Sequence, residues 1–146
     1  MSFLLASPTK VALIRYFAGF TRQLSVVPLA GGTPVPLTPP PTGQGPLSIV
    51  PHPDGERVLF GNDNDTAGVY ELYVAPLDAS SAPTKLSGPL ASNEDLREMK
   101  VTPDEAHAAY RAGPFDRVVE LFRTPLAASA PPFQLNEVAP PSTILR

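Results

Sequence analysis

Apolar residues along the chain fall into short runs of four to nine positions, each closed by a turn signal. The clearest stretch begins at Pro46. Leu47-Ser48-Ile49-Val50 is a short apolar run that ends at Pro53-Asp54-Gly55, and Asp-Gly marks a tight turn because Gly accepts a positive φ. Arg57-Val58-Leu59-Phe60 follows, rich in β-branched and aromatic side chains. Asn62 to Gly68 is a polar loop. Val69 to Leu77 then alternates in the way a pleated strand requires. After a small-residue turn at Ala79 to Ala82, Thr84-Lys85-Leu86 reads as a short outer strand, with Pro83 beside it as suits a sheet edge. The pattern predicts four short strands in about 48 residues.

The same grammar occurs three times. Gln23-Leu24-Ser25-Val26-Val27-Pro28-Leu29, Glu71-Leu72-Tyr73-Val74-Ala75-Pro76-Leu77 and Glu120-Leu121-Phe122-Arg123-Thr124-Pro125-Leu126 align, with leading leucines at 24, 72 and 121. Downstream, Pro36-Leu37-Thr38, Lys85-Leu86-Ser87 and Gln134-Leu135-Asn136 align in turn. Upstream stand Ser7-Pro8, His52-Pro53-Asp54-Gly55 and Thr102-Pro103-Asp104. In the third copy the predicted strands are Leu96–Val101, Ala108–Arg111, Val118–Leu126 and Phe133–Leu135. Ser92 with Asp95 imitates a helix cap ahead of Leu96 and Met99, but the repeat register favours a strand. In the first copy Val11–Ile14 and Thr21–Leu29 fit the second and third strands. Four-stranded units repeating every 40–50 residues are the mark of β-propeller blades. The expected fold class is therefore all-β, a partial β-propeller of three four-stranded antiparallel blades. Its expected boundaries are blade one 1-45, blade two 46-92, blade three 93-138 and a tail 139-146.

Composition sharpens this picture. Pro is 20 of 146 residues, about 14% against a usual ~5%. So many prolines exclude a helical bundle, since each costs ~3 kcal/mol in a helix interior. Six of them recur in register instead, as Pro8, Pro53 and Pro103 at the first turns and Pro28, Pro76 and Pro125 at the ends of third strands. No apolar run approaches ~18 residues, so no helical membrane span is expected. A net charge of −3 argues against a nucleic-acid surface. The absence of Cys removes disulfides, thiol nucleophiles and cysteine metal sites. The N-terminal Met1 to Ser7 does not read as a signal peptide.

Pro53-Asp54-Gly55, Glu71-Leu72-Tyr73 and Pro76-Leu77-Asp78 resemble the WD-like repeats of TolB-type β-propellers. Copy three matches at Pro103-Asp104, Glu120-Leu121-Phe122 and Pro125-Leu126, and departs at Glu105 and Ala127 where Gly and Asp belong. Copy one keeps Leu24 and Pro28-Leu29. The resemblance implies a non-enzymatic scaffold or binding module that presents blade-connecting loops to a protein or small-ligand partner. It also implies an extracytoplasmic setting. An alternative it offers is the gating propeller of a prolyl-oligopeptidase-type hydrolase, or a fragment without independent function. Rings in this family resemble six blades and three cannot close one. A homodimer that completes a six-bladed ring is accordingly one expected partner.

Candidate chemistry is sparse, and no catalytic, cofactor or metal residue is expected. His52 and His107 read as surface or turn residues. No Gly-x-Ser-x-Gly elbow is present. The loop Asn62-Asp63-Asn64-Asp65-Thr66-Ala67-Gly68 echoes the start of a calcium site through Asp63 and Asp65, but Ala67 and Val74 fall where ligands belong. An Asx-rich hairpin tip is the simpler reading. Glu94, Asp95 and Glu98 read as a solvated acidic loop before the inner strand of blade three. Gly31-Gly32 reads as an ordinary turn, and Asn64-Asp65-Thr66 matches a glycosylation sequon. Tyr16, Phe17 and Phe20 are expected to cover the core or an inter-blade face.

Overall fold

Turn chemistry and strand pairing together produce the repeat. In a computed structural model, which describes residues 2–114 and 119–136, the chain forms twelve strands. Blade one is β1 (Ser2–Ser7), β2 (Lys10–Tyr16), β3 (Arg22–Pro28) and β4 (Val35–Pro36). Blade two is β5 (Leu47–Pro51), β6 (Arg57–Asn62), β7 (Glu71–Pro76) and β8 (Thr84–Lys85). Blade three is β9 (Glu94–Val101), β10 (His107–Pro114), β11 (Glu120–Pro125) and β12 (Phe133–Gln134). Each blade is a four-stranded antiparallel meander in chain order. The innermost strands meet, β1 against β5 and β5 against β9, so the sheets stack as blades of an open partial propeller. The expected fold class is the observed one. Ser92 to Lys100 is not a helix: β9 is pinned along β10 by pairs from Ala108↔Val101 to Pro114↔Glu94. The expected strand start at Val118, the loop residues Phe115 and Asp116, and the tail 139-146 lie outside the described residues.

The recurring residues make recurring bonds. Leu37, Leu86 and Leu135 donate their backbone N–H to the carbonyls of Leu24, Leu72 and Leu121 at 2.8 Å each. The next residue then accepts the N–H of that same leucine. Thr38 Oγ1 takes Leu24 N–H (3.1 Å), Ser87 Oγ takes Leu72 N–H (3.0 Å) and Asn136 Oδ1 takes Leu121 N–H (2.6 Å). Leu-Thr, Leu-Ser and Leu-Asn therefore recur because two-residue outer strands leave a third-strand N–H unpaired, and a side-chain oxygen satisfies it.

The turns follow the same rule. Leu29, Leu77 and Leu126 donate to Thr9, Glu56 and Ala106 across the blade. Gly31, Ala79 and Ala128 all take positive φ (97°, 58° and 52°), each donating to the proline that ends the third strand. Gly55 (φ 69°) closes the first turn of blade two, and Glu105 adopts the same conformation (φ 57°) in blade three despite its Cβ. A non-glycine in this region costs roughly 1–2 kcal/mol.

Two cores lie between the sheets. Ala12, Ile14, Leu24 and Val26 of blade one pack on Val58, Phe60, Tyr73 and Ala75 of blade two. The opposite face of blade two, Leu59, Leu72 and Val74, packs on Met99, Ala108, Tyr110 and Ala112 of blade three. Blade two is thus buried on both faces. Its third strand reads as a continuous buried run from Glu71 to Ala75 because alternate residues serve different cores.

Candidate functional site

The inner strands of blades two and three enclose a cleft of ≈ 220 Å³, lined by Leu47, Ser48, Val50, Tyr70, Leu96 and Met99, with Arg97 and Glu98 on its rim. Its geometry begins with Gly61. A Cβ there would lie 3.1 Å from Leu96 Cδ2 and 3.2 Å from the Leu47 carbonyl oxygen, so Gly lets β5, β6 and β9 come close. The pairing of β5 with β6 skips a residue between Leu47 and Ile49. Ser48 sits at this irregularity with φ 53°, exposed to solvent. Leu47 beside it is also exposed. A non-glycine held in left-handed backbone next to an exposed leucine is the kind of local strain that gathers at binding surfaces.

Polar bonds fix the mouth of the cleft. Asp95 Oδ1 accepts the Tyr70 N–H at 2.6 Å, and Leu96 N–H donates to the Tyr70 carbonyl at 2.9 Å. The Tyr70 hydroxyl accepts from Arg22 Nη2 (2.6 Å) and donates to Gln44 Oε1 (3.3 Å). Burial, with the charge of Asp63 behind it, raises the Tyr70 pKa, so the phenol stays neutral and serves as a hydrogen-bonding group. Burial also raises Asp95, against the opposing pull of the Tyr70 N–H. Nothing local in the sequence marks Ser48, Tyr70 or Gln44. The available signal was Gly61, a glycine inside a strand where blade one has Ile14.

The structure relocates several candidates. His52 is not a surface residue: it is 2% exposed. Its Nε2 lies 2.8 Å from the carbonyl oxygen of Glu105, the equivalent turn of blade three. With Nε2 protonated, the imidazole donates to that carbonyl and ties one blade's turn to the next. Its Nδ1 faces Asp54 Oδ1 at 2.9 Å. Burial works against ionisation of Asp54, but the Glu56 N–H, Arg57 and His52 together bring its pKa below the usual value. His107 is half-buried, with Nδ1 2.8 Å from Asp104 Oδ2. The Thr102 hydroxyl, the Ala106 N–H and His107 hold Asp104 well below the ordinary carboxylate range. In this group the single hydroxyl proton of Thr102 lies between the Asp104 carboxylate and the His107 carbonyl, both within hydrogen-bond distance. Neither bond runs to an imidazole nitrogen, as activation of a nucleophile would require.

Asp63 and Asp65 are not brought together around one point. Asp63 is fully buried, and its two oxygens accept the N–H groups of Gln44 (2.9 Å), Gly45 (2.7 Å) and Gly68 (3.1 Å). It fastens the linker between blades one and two, and a Cβ at Gly43 would sit only 2.4 Å from it. Asp65 instead binds Lys85 Nζ at 2.7 Å, a contact that lowers the Asp65 pKa, and Lys85 also meets buried Glu71 at 2.8 Å. Among the described residues no group of three or more His, Asp or Glu side chains is placed to share a metal ion. Glu94, Asp95 and Glu98 belong to strand β9 and not to a loop. They separate into a bond to Ala91 N–H, the Tyr70 bond, and ion pairs with Lys100 and Arg111. Tyr16, Phe17 and Phe20 do not cover a core. All three are exposed, Phe20 at 87%, at the β2–β3 hairpin.

Neither a family model nor a curated protein sequence matches the chain. A solved structure of a provisionally assigned TolB from Agrobacterium tumefaciens does match, with a TM-score of 0.60 at 18% identity. The alignment covers 90% of this chain and 43% of that one. The fold is TolB-like. The chain spans less than half the length of that structure, and at this identity the likeness speaks to the fold alone. No helix among the described residues is long and apolar enough to cross a membrane.

Proposed function

We propose that the chain is a non-enzymatic binding module whose inner-strand cleft receives an apolar side chain from a protein or small-ligand partner. One observation carries this reading: Ser48 is held at φ 53° at the rim of an apolar-walled cleft, with Leu47 exposed beside it. Backbone strain and an exposed leucine both cost stability. The hydrogen-bond partners of His52 and His107 support the non-enzymatic part, because neither imidazole is aimed at a hydroxyl. The TolB-like fold supports it further as a scaffold on which loops and inner strands are displayed. A selection of displayed peptides against the purified chain tests the reading. Enriched peptides should carry a large apolar residue and should lose binding to Leu47→Glu. Peptides that bind Leu47→Glu as well as the parent would sink it.

A further inference from the structure

The register makes blade faces comparable residue by residue. Val26, Val74 and Arg123 are equivalent, paired with Ala12, Leu59 and Ala109. Ile14, Gly61 and Arg111 are equivalent as well, paired with Leu24, Leu72 and Leu121. In blades one and two this face is apolar and buried against the next blade. In blade three it carries two guanidinium groups, and Arg111, Leu121 and Arg123 are exposed. A shallow groove of ≈ 180 Å³ runs along it, lined by Lys100, Ala109, Arg111 and Leu121. Glu98 lies 3.4 Å from Lys100 and 3.5 Å from Arg111. Arg123 sits over the Phe133 ring at 5.9 Å. Among the described residues, three cations against one carboxylate leave the face at +2 on a chain whose net charge is −3.

We propose that this face docks a carboxylate-bearing extended segment of a partner polypeptide. Arg111 and Arg123 are diagonal neighbours on adjacent strands, roughly 7–8 Å apart. Carboxylates at alternate positions of an extended strand are about 7 Å apart, and guanidinium binds carboxylate through paired hydrogen bonds. A second copy of this chain does not offer that chemistry at the position that would close a ring. Its blade one would present Val11, Arg15, Gln23 and Val27 around buried Leu13 and Ser25, and there is no Asp or Glu before Asp54. Such a contact would desolvate Arg111 and Arg123 against a further cation and add no carboxylate to the single one, Glu98, already beside Arg111. This surface is separate from the Leu47–Ser48 part of the cleft, so the two proposals fail independently.

Fluorescence anisotropy on the full chain tests it, with labelled twelve-residue peptides alternating Glu with Thr or Lys with Thr as probes. The Glu–Thr peptide should bind at least tenfold more tightly than the Lys–Thr peptide, and more weakly as salt rises. Arg111→Glu with Arg123→Glu should reduce that affinity at least tenfold, and Arg111→Gln with Arg123→Gln should reduce it by less. Arg15→Glu, on blade one, should leave it unchanged. Equal affinity for the two peptides, no binding of either, or an equal loss in Arg15→Glu would overturn the proposal. So would a parent dimer in sedimentation that the double charge reversal dissociates, because a second copy would then be the occupant.

Discussion

Among the described residues, blade two is packed on both faces and blade three on one, although their strands, turns and capping bonds repeat almost residue for residue. The difference separates two jobs that a repeat sequence performs at once. One is to build the blade. Ser87 and Asn136 cap equivalent leucine N–H groups, and Gly55 and Glu105 close equivalent turns in the same backbone conformation. The other is to supply the faces. There the blades part, since Val74 is buried and its counterpart Arg123 is exposed to solvent. Backbone hydrogen bonding is indifferent to what lies beyond the sheet, whereas a face residue is chosen by whatever covers it.

The largest test of this contrast is a matched truncation. Leu72→Ala removes a side chain with 0% exposure and should cost about 3 kcal/mol, whereas Leu121→Ala, at 37% exposure, should cost under about 1 kcal/mol. Urea denaturation of both variants measures the gap, and equal losses would mean that blade three's face is covered. Next comes Asp63→Ala. It strips a buried acceptor from three N–H groups, so a loss of about 2–3 kcal/mol is expected in the same assay. A smaller pair compares the first turns. Gly55→Ala should destabilise by about 1 kcal/mol, because left-handed backbone is strained for Ala and the new Cβ would lie 3.2 Å from that of Ser7. Glu105→Gly should stabilise by about 0.5 kcal/mol by relieving the same strain.

The smallest expected effect is at alkaline pH. Burial, with the Asp65 charge, pushes Tyr73 up to about 12, and burial alone pushes Tyr110 up to about 12, from 10.0 in each case. The unfolded chain therefore releases these protons first. Their contribution is whole below pH 10 and is lost as pH rises through the 10–12 window. The sign reverses for Asp54 and Asp104, whose folded pKa values are lowered: their contribution is present above about pH 4 and fades as the solution becomes more acid. Thermal melts across pH should show both limbs, and Tyr110→Phe should flatten the alkaline one.

Much of the fold is legible in the sequence, because turns and strand ends are local. Asp54-Gly55 closes a turn through its own backbone, and Pro28, Pro76 and Pro125 end strands that a missing N–H cannot extend. Burial is not local, and the misreadings follow from that. His52 belongs to a turn by sequence and is buried by a carbonyl 53 residues away. Asp63 belongs to a polar loop and is buried by a linker that wraps it through Gly43 and Gly45. Tyr16, Phe17 and Phe20 carry the composition of a core, yet the hairpin holds them outside it. The cleft was the hardest feature to anticipate, since it exists only where β5 and β9, more than forty residues apart in the chain, run side by side.

Hydrogen exchange of individual backbone amides tests the account most directly. Blade two, buried between two sheets, should open only with global unfolding, so β6 and β7 should hold the slowest amides in the chain. β11 should exchange faster, through local opening of blade three's uncovered face. Protection in β11 equal to or greater than that in β7 would contradict the claim that blade two is the doubly packed centre and that blade three's outer face is open.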